Sequence, residues 1–339
     1  MMKKAYIKDI AYYLPDRIVS NEEIVKDFPE WSVEKITEKV GVNQRHVASD
    51  SETAVDLAEK AANILFEKNG VARDSIDFII LCTQSPDYFL PSSACLLQHK
   101  LGLRKDIGAF DFNLGCSGFV YGLAISKGLI ASGVAHNVLL LTSETYNKYI
   151  HPKDKGNRTI FGDGATATLV SEDGFAEIDE FTLGTDGRGA NNLIVKSGAS
   201  RQKEPQNDLT FDKNGNPVSS DYLFMNGAQI FVFTQRNVPM LVKDVLEKNH
   251  LSQDDIDLFV LHQANTYMLE FLRNKLGIPH ERFYMFMENI GNTVSSSIPI
   301  CLVEARKENR LHGNILLCGF GVGYSSGAVI LNSRLSEQG

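Results

Sequence analysis

The chain of 339 residues has one tryptophan, five cysteines and no block of lysine or arginine. Its formal net charge is -8, and without a basic cluster nucleic-acid binding is disfavoured. No apolar run approaches the ~20 residues needed to span a bilayer. Lys3 and Lys4 are followed by no apolar core of the kind a signal peptide carries. The cysteines Cys82, Cys95, Cys116, Cys301 and Cys318 are an odd set without a C-x-x-C pair. That argues for a reducing cytosol, and against a disulfide framework or a zinc site; no metal is expected. The run Gly319-Phe320-Gly321-Val322-Gly323 lacks both the lysine–serine/threonine pair of a phosphate loop and G-x-G-x-x-G spacing. A better reading of it is backbone brought close to a reacting carbonyl, its N–H groups forming half of an oxyanion hole.

What is present is an alternation of short apolar runs and amphipathic stretches, with 43% hydrophobic residues to bury. Ala5 to Tyr13, Asp77 to Thr83, Ile107 to Phe112, Asn137 to Thr142 and Ala165 to Val170 read as strands. Ser20-Asn21-Glu22-Glu23 reads as a capped helix start, and helices are predicted over Trp31–Gly41, Glu52–Asn69 and Pro91–Leu101. This is α/β layering. The second part repeats the first. Asp74-Ser75-Ile76-Asp77-Phe78-Ile79-Ile80-Leu81 recurs as Asp254-Asp255-Ile256-Asp257-Leu258-Phe259-Val260-Leu261. Lys100-Leu101-Gly102 is answered by Lys275-Leu276-Gly277, and Asn137–Leu141 by Asn314–Cys318. The repeat points to two α/β units about a pseudo-twofold axis, over 1–172 and 173–339. The polar stretch Gly198 to Asp221 between them reads as an exposed loop or hairpin.

The repeat also selects candidate chemistry. Gly115-Cys116-Ser117-Gly118 lies where a buried strand turns into a helix rich in Phe119, Val120, Leu123 and Ile130. Unpaired N–H groups and the positive dipole end favour a thiolate there, and cysteines so placed have pKa values well below ~8.5. Counting back from the matched strands reaches Cys116 in one half and Asn292 in the other. His262, in Leu261-His262-Gln263-Ala264-Asn265, follows a strand whose carboxyl end is a ligand-binding position in open α/β sheets. Cys116, His262 and Asn292 are therefore expected to converge on one pocket.

Taken in order, several motifs resemble the β-ketoacyl-acyl-carrier-protein synthase III family of thiolase-fold condensing enzymes. They are Trp31 with Gly41-Val42-Asn43-Gln44-Arg45-His46, Gly115-Cys116-Ser117-Gly118-Phe119, Phe161-Gly162-Asp163-Gly164-Ala165, His262-Gln263-Ala264-Asn265, Gly291-Asn292-Thr293 and Gly319–Gly323. The resemblance implies a layered αβαβα fold of two duplicated halves. It implies decarboxylative Claisen condensation of an acyl thioester with malonyl-acyl-carrier-protein, through an acyl group on Cys116. His262 and Asn292 would serve the malonyl thioester oxygen, and the N–H groups of Cys116 and Val322 the acyl oxygen. No permanently bound cofactor is expected; CoA and phosphopantetheine thioesters are substrates.

The resemblance extends to contacts. Trp31, Lys39, Lys155, Phe231, Ala264 and Asn265 fall at CoA or pantetheine positions, with Ala228 where the family usually has asparagine. Gln263 and Tyr267 fall at the carrier-protein docking face, Tyr267 replacing a common arginine. Leu90 stands where the neighbouring subunit limits the acyl pocket, and leucine leaves room for branched or longer primers. Acyl carrier protein, acyl-CoA and a second copy of the chain are the expected partners, in the cytoplasm. Rival readings are an acyltransferase of a specialised lipid or polyketide pathway, a non-decarboxylating thiolase using Cys318 as base, and a silent carrier-binding scaffold.

Overall fold

The computed structural model describes residues 3–213 and 215–335. Ten strands make one hydrogen-bonded sheet. They are β1 (Tyr6–Tyr13), β2 (Phe78–Cys82), β3 (Gly108–Phe112), β4 (Asn137–Glu144), β5 (Gly164–Ser171), β6 (Ala176–Thr185), β7 (Leu258–Leu261), β8 (Phe283–Tyr284), β9 (Gly313–Gly321) and β10 (Ser325–Ser333). Their order is β3-β2-β4-β5-β1-β6-β10-β9-β7-β8. Read outward from the centre, the last five strands repeat the order of the first five. β1 and β6 meet antiparallel at that centre, Tyr6 opposite Glu177 and Ile7 opposite Ala176. The sheet's free margins are β3 on one side and the two-residue β8 on the other.

Six helices cover the sheet: α1 (Ala54–Lys68), α2 (Ser93–Lys100), α3 (Gly118–Ala131), α4 (Gly227–Lys248), α5 (Thr266–Leu276) and α6 (Ser297–Lys307). α3 touches β2, β4 and β5 on one side and β6, β9 and β10 on the other. α6 likewise contacts β1, β5 and β7. These two form the middle layer, while α1 and α2 lie against the first strands and α4 packs on β6, β9 and β10 with α5 beside it. The layers are thus αβαβα, and the middle position explains why α3 is apolar all round. Gly122 lets it approach β4, since a Cβ there would come 2.5 Å from Leu140. β2 and β7 are covered on both faces, as their unbroken apolar runs require.

Local chemistry sets the boundaries. Thr53 and Asp56 form a capping box, so α1 begins at Ala54 rather than Glu52. Ser32 caps a helix over Val33–Val40, which leaves Trp31 outside it. α2 starts at Ser93, two residues beyond Pro91. Both Gly102 and Gly277 adopt left-handed φ, at 62° and 66°, and stop their helices. The polar stretch 198–221 contains a small antiparallel pair, Thr210–Phe211 with Pro217–Val218; Asn214 lies outside the described residues. Among the described residues no helix is long and apolar enough to cross a membrane.

Candidate active site

Cys116 lies between β3 and α3, two residues before the helix begins. β9 runs directly over it. A Cβ on Gly321 would fall 2.9 Å from both Cβ and Sγ of Cys116, and one on Gly319 would fall 2.7 Å from the Cys116 carbonyl oxygen. Only glycine permits that approach. The N–H groups of Cys116 and Val322 favour negative charge on the sulfur. Tyr146, Phe161, Leu193, Leu223 and Val294 complete an apolar shell around it. The expectation of an acidic thiol is overturned: burial, then the charge of Glu144, push the Cys116 thiol up to about 12. Desolvation and a like charge outweigh the two N–H groups and the helix start.

His262 follows β7. Its N–H donates to the Cys318 carbonyl at 2.8 Å, and its ring stands edge-on to Phe320, centroids 5.6 Å apart. The segment 318–322 therefore holds the histidine with one residue and meets Cys116 with the next ones. Burial pulls the imidazole down to about 3, so it is neutral at ordinary pH. Its Nδ1 lies 2.8 Å from Ser297 Oγ, at the start of α6.

Asn292 is held from both sides by backbone. Its N–H donates to Ile160 O at 2.8 Å and its carbonyl accepts from Gly162 N at 3.0 Å. Arg45, from the Gly41–His46 motif, is fully buried and donates to Val19 O, Asn21 Oδ1 and Thr159 O. Its stem lies under this loop: a Cβ on Gly291 would come 3.1 Å from Arg45 Cβ. The Val294 N–H donates to Asn292 Oδ1 at 2.9 Å, which fixes the amide so that Nδ2 is turned towards Ala264 and His262. Val294 adopts φ 55°, a strained value for a β-branched residue. Asn292 Nδ2 is 3.3 Å from Ala264 O and 3.5 Å from His262 Nε2. When Ser297 donates to Nδ1, Nε2 carries its hydrogen, and His262 and Asn292 aim two N–H donors at one spot.

The remaining expected residues fall around this centre unevenly. Glu30, next to Trp31, pairs with Lys155 Nζ at 2.8 Å, while half-buried Trp31 has Lys35 Nζ 5.4 Å from its ring centroid. Lys39 is exposed on the helix Val33–Val40. Phe231 forms an aromatic group with Tyr267 and Phe271, at 5.8 and 4.8 Å. Tyr267 is exposed, and Asn265 caps α5 by accepting from Met268 N at 2.8 Å. Leu90, 84% exposed, stands off the chain with Tyr88 and Phe89. Gln263 is a correction. It is fully buried, its Nε2 donates to Leu261 O and Tyr284 O, and its Oε1 accepts from Phe286 N. A side chain so occupied cannot dock a carrier protein.

The model of 3-oxoacyl-[acyl-carrier-protein] synthase III matches residues 110–187, and that of its C-terminal part matches 246–333. The β-ketoacyl-[acyl-carrier-protein] synthase III of Clostridium perfringens is 37% identical over 333 residues, 97% of this chain and 99% of the relative. The chain belongs to the β-ketoacyl-[acyl-carrier-protein] synthase III family. A crystal structure of a 3-oxoacyl-(acyl-carrier-protein) synthase III superimposes with a TM-score of 0.95 at 47% identity, covering 97% of this chain and 99% of that one. The priming β-ketosynthase of the R1128 polyketide pathway matches at 26% identity, with a TM-score of 0.85, covering 99% and 98%.

For this synthase III chain, sequence reasoning missed three groups packed into the site: Glu144, Gln84 and Ser297. Glu144 did leave a signal, a lone acid three residues after the apolar run Val138–Leu141, at the end of β4. Ser297 was hidden in the run Ser295-Ser296-Ser297, where nothing marks which hydroxyl faces the histidine.

Proposed function

We propose that the chain catalyses decarboxylative Claisen condensation of an acyl thioester with malonyl-acyl-carrier-protein, giving a 3-oxoacyl thioester. The observation that carries this is the meeting of a glycine-backed cysteine with a neutral histidine and an oriented asparagine around the segment 318–322. Cys116 Sγ attacks the acyl carbonyl; a carbon–sulfur bond forms, the donor's breaks, and the thiol proton leaves with the donor thiol. The N–H groups of Cys116 and Val322 hold the oxyanion. The malonyl thioester then loses CO₂, and the electron pair becomes an enolate whose oxygen accepts from His262 Nε2 and Asn292 Nδ2. Each such donor contributes about 3–4 kcal/mol in the transition state. The enolate carbon attacks the acyl-cysteine, and the sulfur departs and takes a proton from water. No step requires a bound cofactor.

Within this reading the halves 1–172 and 173–339 are duplicated units, one supplying the nucleophile and the other the two donors. Trp31, Lys39, Lys155, Phe231, Ala264 and Asn265 line the path of CoA or phosphopantetheine. Tyr267 lies on the carrier-protein face, and Leu90 reaches into the acyl pocket of a second copy in a homodimer, where its size leaves room for branched or longer primers. Five free cysteines support a reducing, cytoplasmic setting. A thiolase role for Cys318 loses its support, because that thiol is fully buried in β9 and burial pushes it far up.

The test is acyl transfer followed by mass spectrometry, with malonyl decarboxylation read separately. Cys116→Ala is expected to take no acyl group. His262→Ala and Asn292→Ala are expected to acylate, and to lose CO₂ release by about 100-fold or more. Condensation at wild-type rate in any of the three would refute the assignment.

A further inference from the structure

The wall beside Cys116 holds polar atoms that the steps above do not use. Gln84, two residues beyond β2, is fixed through its backbone. Its N–H donates to both oxygens of Glu144 at 3.1 Å, and its carbonyl accepts from Tyr149 Oη at 3.1 Å. Its side-chain Oε1 accepts from Tyr146 Oη, and its Nε2 donates to Asn113 Oδ1 at 2.9 Å. A Cβ on Gly115 would stand 2.6 Å from Gln84 Oε1 and 2.7 Å from Val322 Cγ1. The carboxamide therefore lies on Gly115, next to Cys116 and against the residue whose N–H serves the acyl oxygen. Glycine at 115 is what admits it.

Tyr146 closes the same wall. It is 4% exposed and packs in one cluster with Cys116, Phe161, Leu193, Leu223 and Val294, its ring centroid 5.2 Å from that of Phe161. Burial pushes the phenol far up, so it keeps its hydrogen. That hydrogen goes to Gln84 Oε1, and Oη keeps lone pairs with which to accept. Gln84 Nε2 has two hydrogens, and among the described residues only Asn113 takes one. An acceptor and a donor thus adjoin each other in an otherwise apolar shell. One hydroxyl group satisfies both, giving its hydrogen to Tyr146 Oη and taking one from Gln84 Nε2. A saturated chain satisfies neither. We propose that Gln84 and Tyr146 are specificity-determining residues, which select a primer acyl group that carries a hydroxyl on one of its first carbons. This rests on the proposed acylation of Cys116 and names the class of primer that the step takes.

The experiment is the rate of Cys116 acylation in the full chain, read by mass spectrometry. The donors are the CoA thioesters of butyrate, of 2-hydroxybutyrate and of each enantiomer of 3-hydroxybutyrate. At least one hydroxylated primer is expected to acylate the wild-type chain about fivefold or more faster than butyryl-CoA. A smaller ratio overturns the proposal. Tyr146→Phe and Gln84→Leu each remove one partner of the hydroxyl, and each is expected to bring the ratio close to one. General damage to the fold slows every primer alike and leaves the ratio where it was. A ratio that stays above about half its wild-type value in either folded variant therefore overturns the proposal as well. Where one variant does not fold, the other decides. Acylation led by butyryl-CoA would sink this inference alone, whereas no acylation from any primer would sink the proposed function and this inference with it.

Discussion

Ser297 illustrates how much of the site depends on one hydroxyl. Its Oγ lies 2.8 Å from His262 Nδ1 and also 3.0 Å from the Val294 carbonyl, with one hydrogen to give. Giving it to Nδ1 leaves Nε2–H as a donor to the enolate oxygen. A single neutral hydrogen bond contributes ~1 kcal/mol, so Ser297→Ala is expected to slow malonyl decarboxylation about fivefold. Acylation of Cys116 should be unchanged, and an equal loss in both steps would assign Ser297 to folding instead. The three side chains proposed to react were legible as candidates in the sequence because glycine and strand-end positions mark them. The ionisation of Cys116 was not. A local motif displays the helix start and conceals the burial, and here burial decides. Gln263 failed for a related reason: the resemblance gives its place in a motif and not its burial, and the carbonyls of Leu261 and Tyr284 hold its amide inside.

The elements were mostly readable where periodicity and caps agree, as in α1 with Thr53 and β2 with its apolar run. β8 was not, because two residues carry no period. Helix α4 holds a contact that sequence alone hides. Pro239 lies inside it and has no N–H to give the carbonyl four residues back, that of Gln235. Lys275 Nζ, from the end of α5, donates to that carbonyl at 2.8 Å. The helix break thus becomes a tie between α4 and α5. Lys275→Met is expected to cost about 1 kcal/mol in urea unfolding, since the lysine is exposed. In a Pro239→Ala background the helix can close its own bond, and the same substitution should cost less than half as much. Equal costs in the two backgrounds would show that the tie contributes nothing.

Taken whole, the molecule carries two buried titrating groups that pull stability in opposite directions. His262 falls from 6.5 to about 3 on folding, so the unfolded chain binds the extra proton and stability is lost as pH drops through that window. Glu144 rises from 4.5 to about 8, so the folded chain keeps a proton longer and stability is lost as pH climbs through that window. Each window amounts to roughly 3–5 kcal/mol at ~1.4 kcal/mol per unit. His262→Gln is therefore expected to flatten the acid limb, narrowing the gap between urea midpoints at pH 7 and pH 4. A gap as wide as wild type's would remove His262 from the acid response.

The two margins of the ten-stranded sheet are unequal. β3 offers five residues of backbone, while β8 offers two. A stretch of two residues is too short to template another strand. Were two copies to join through β3, the ten-stranded sheet of each would keep only its blunt β8 margin, so growth along that sheet would stop at a pair and propagate no fibre.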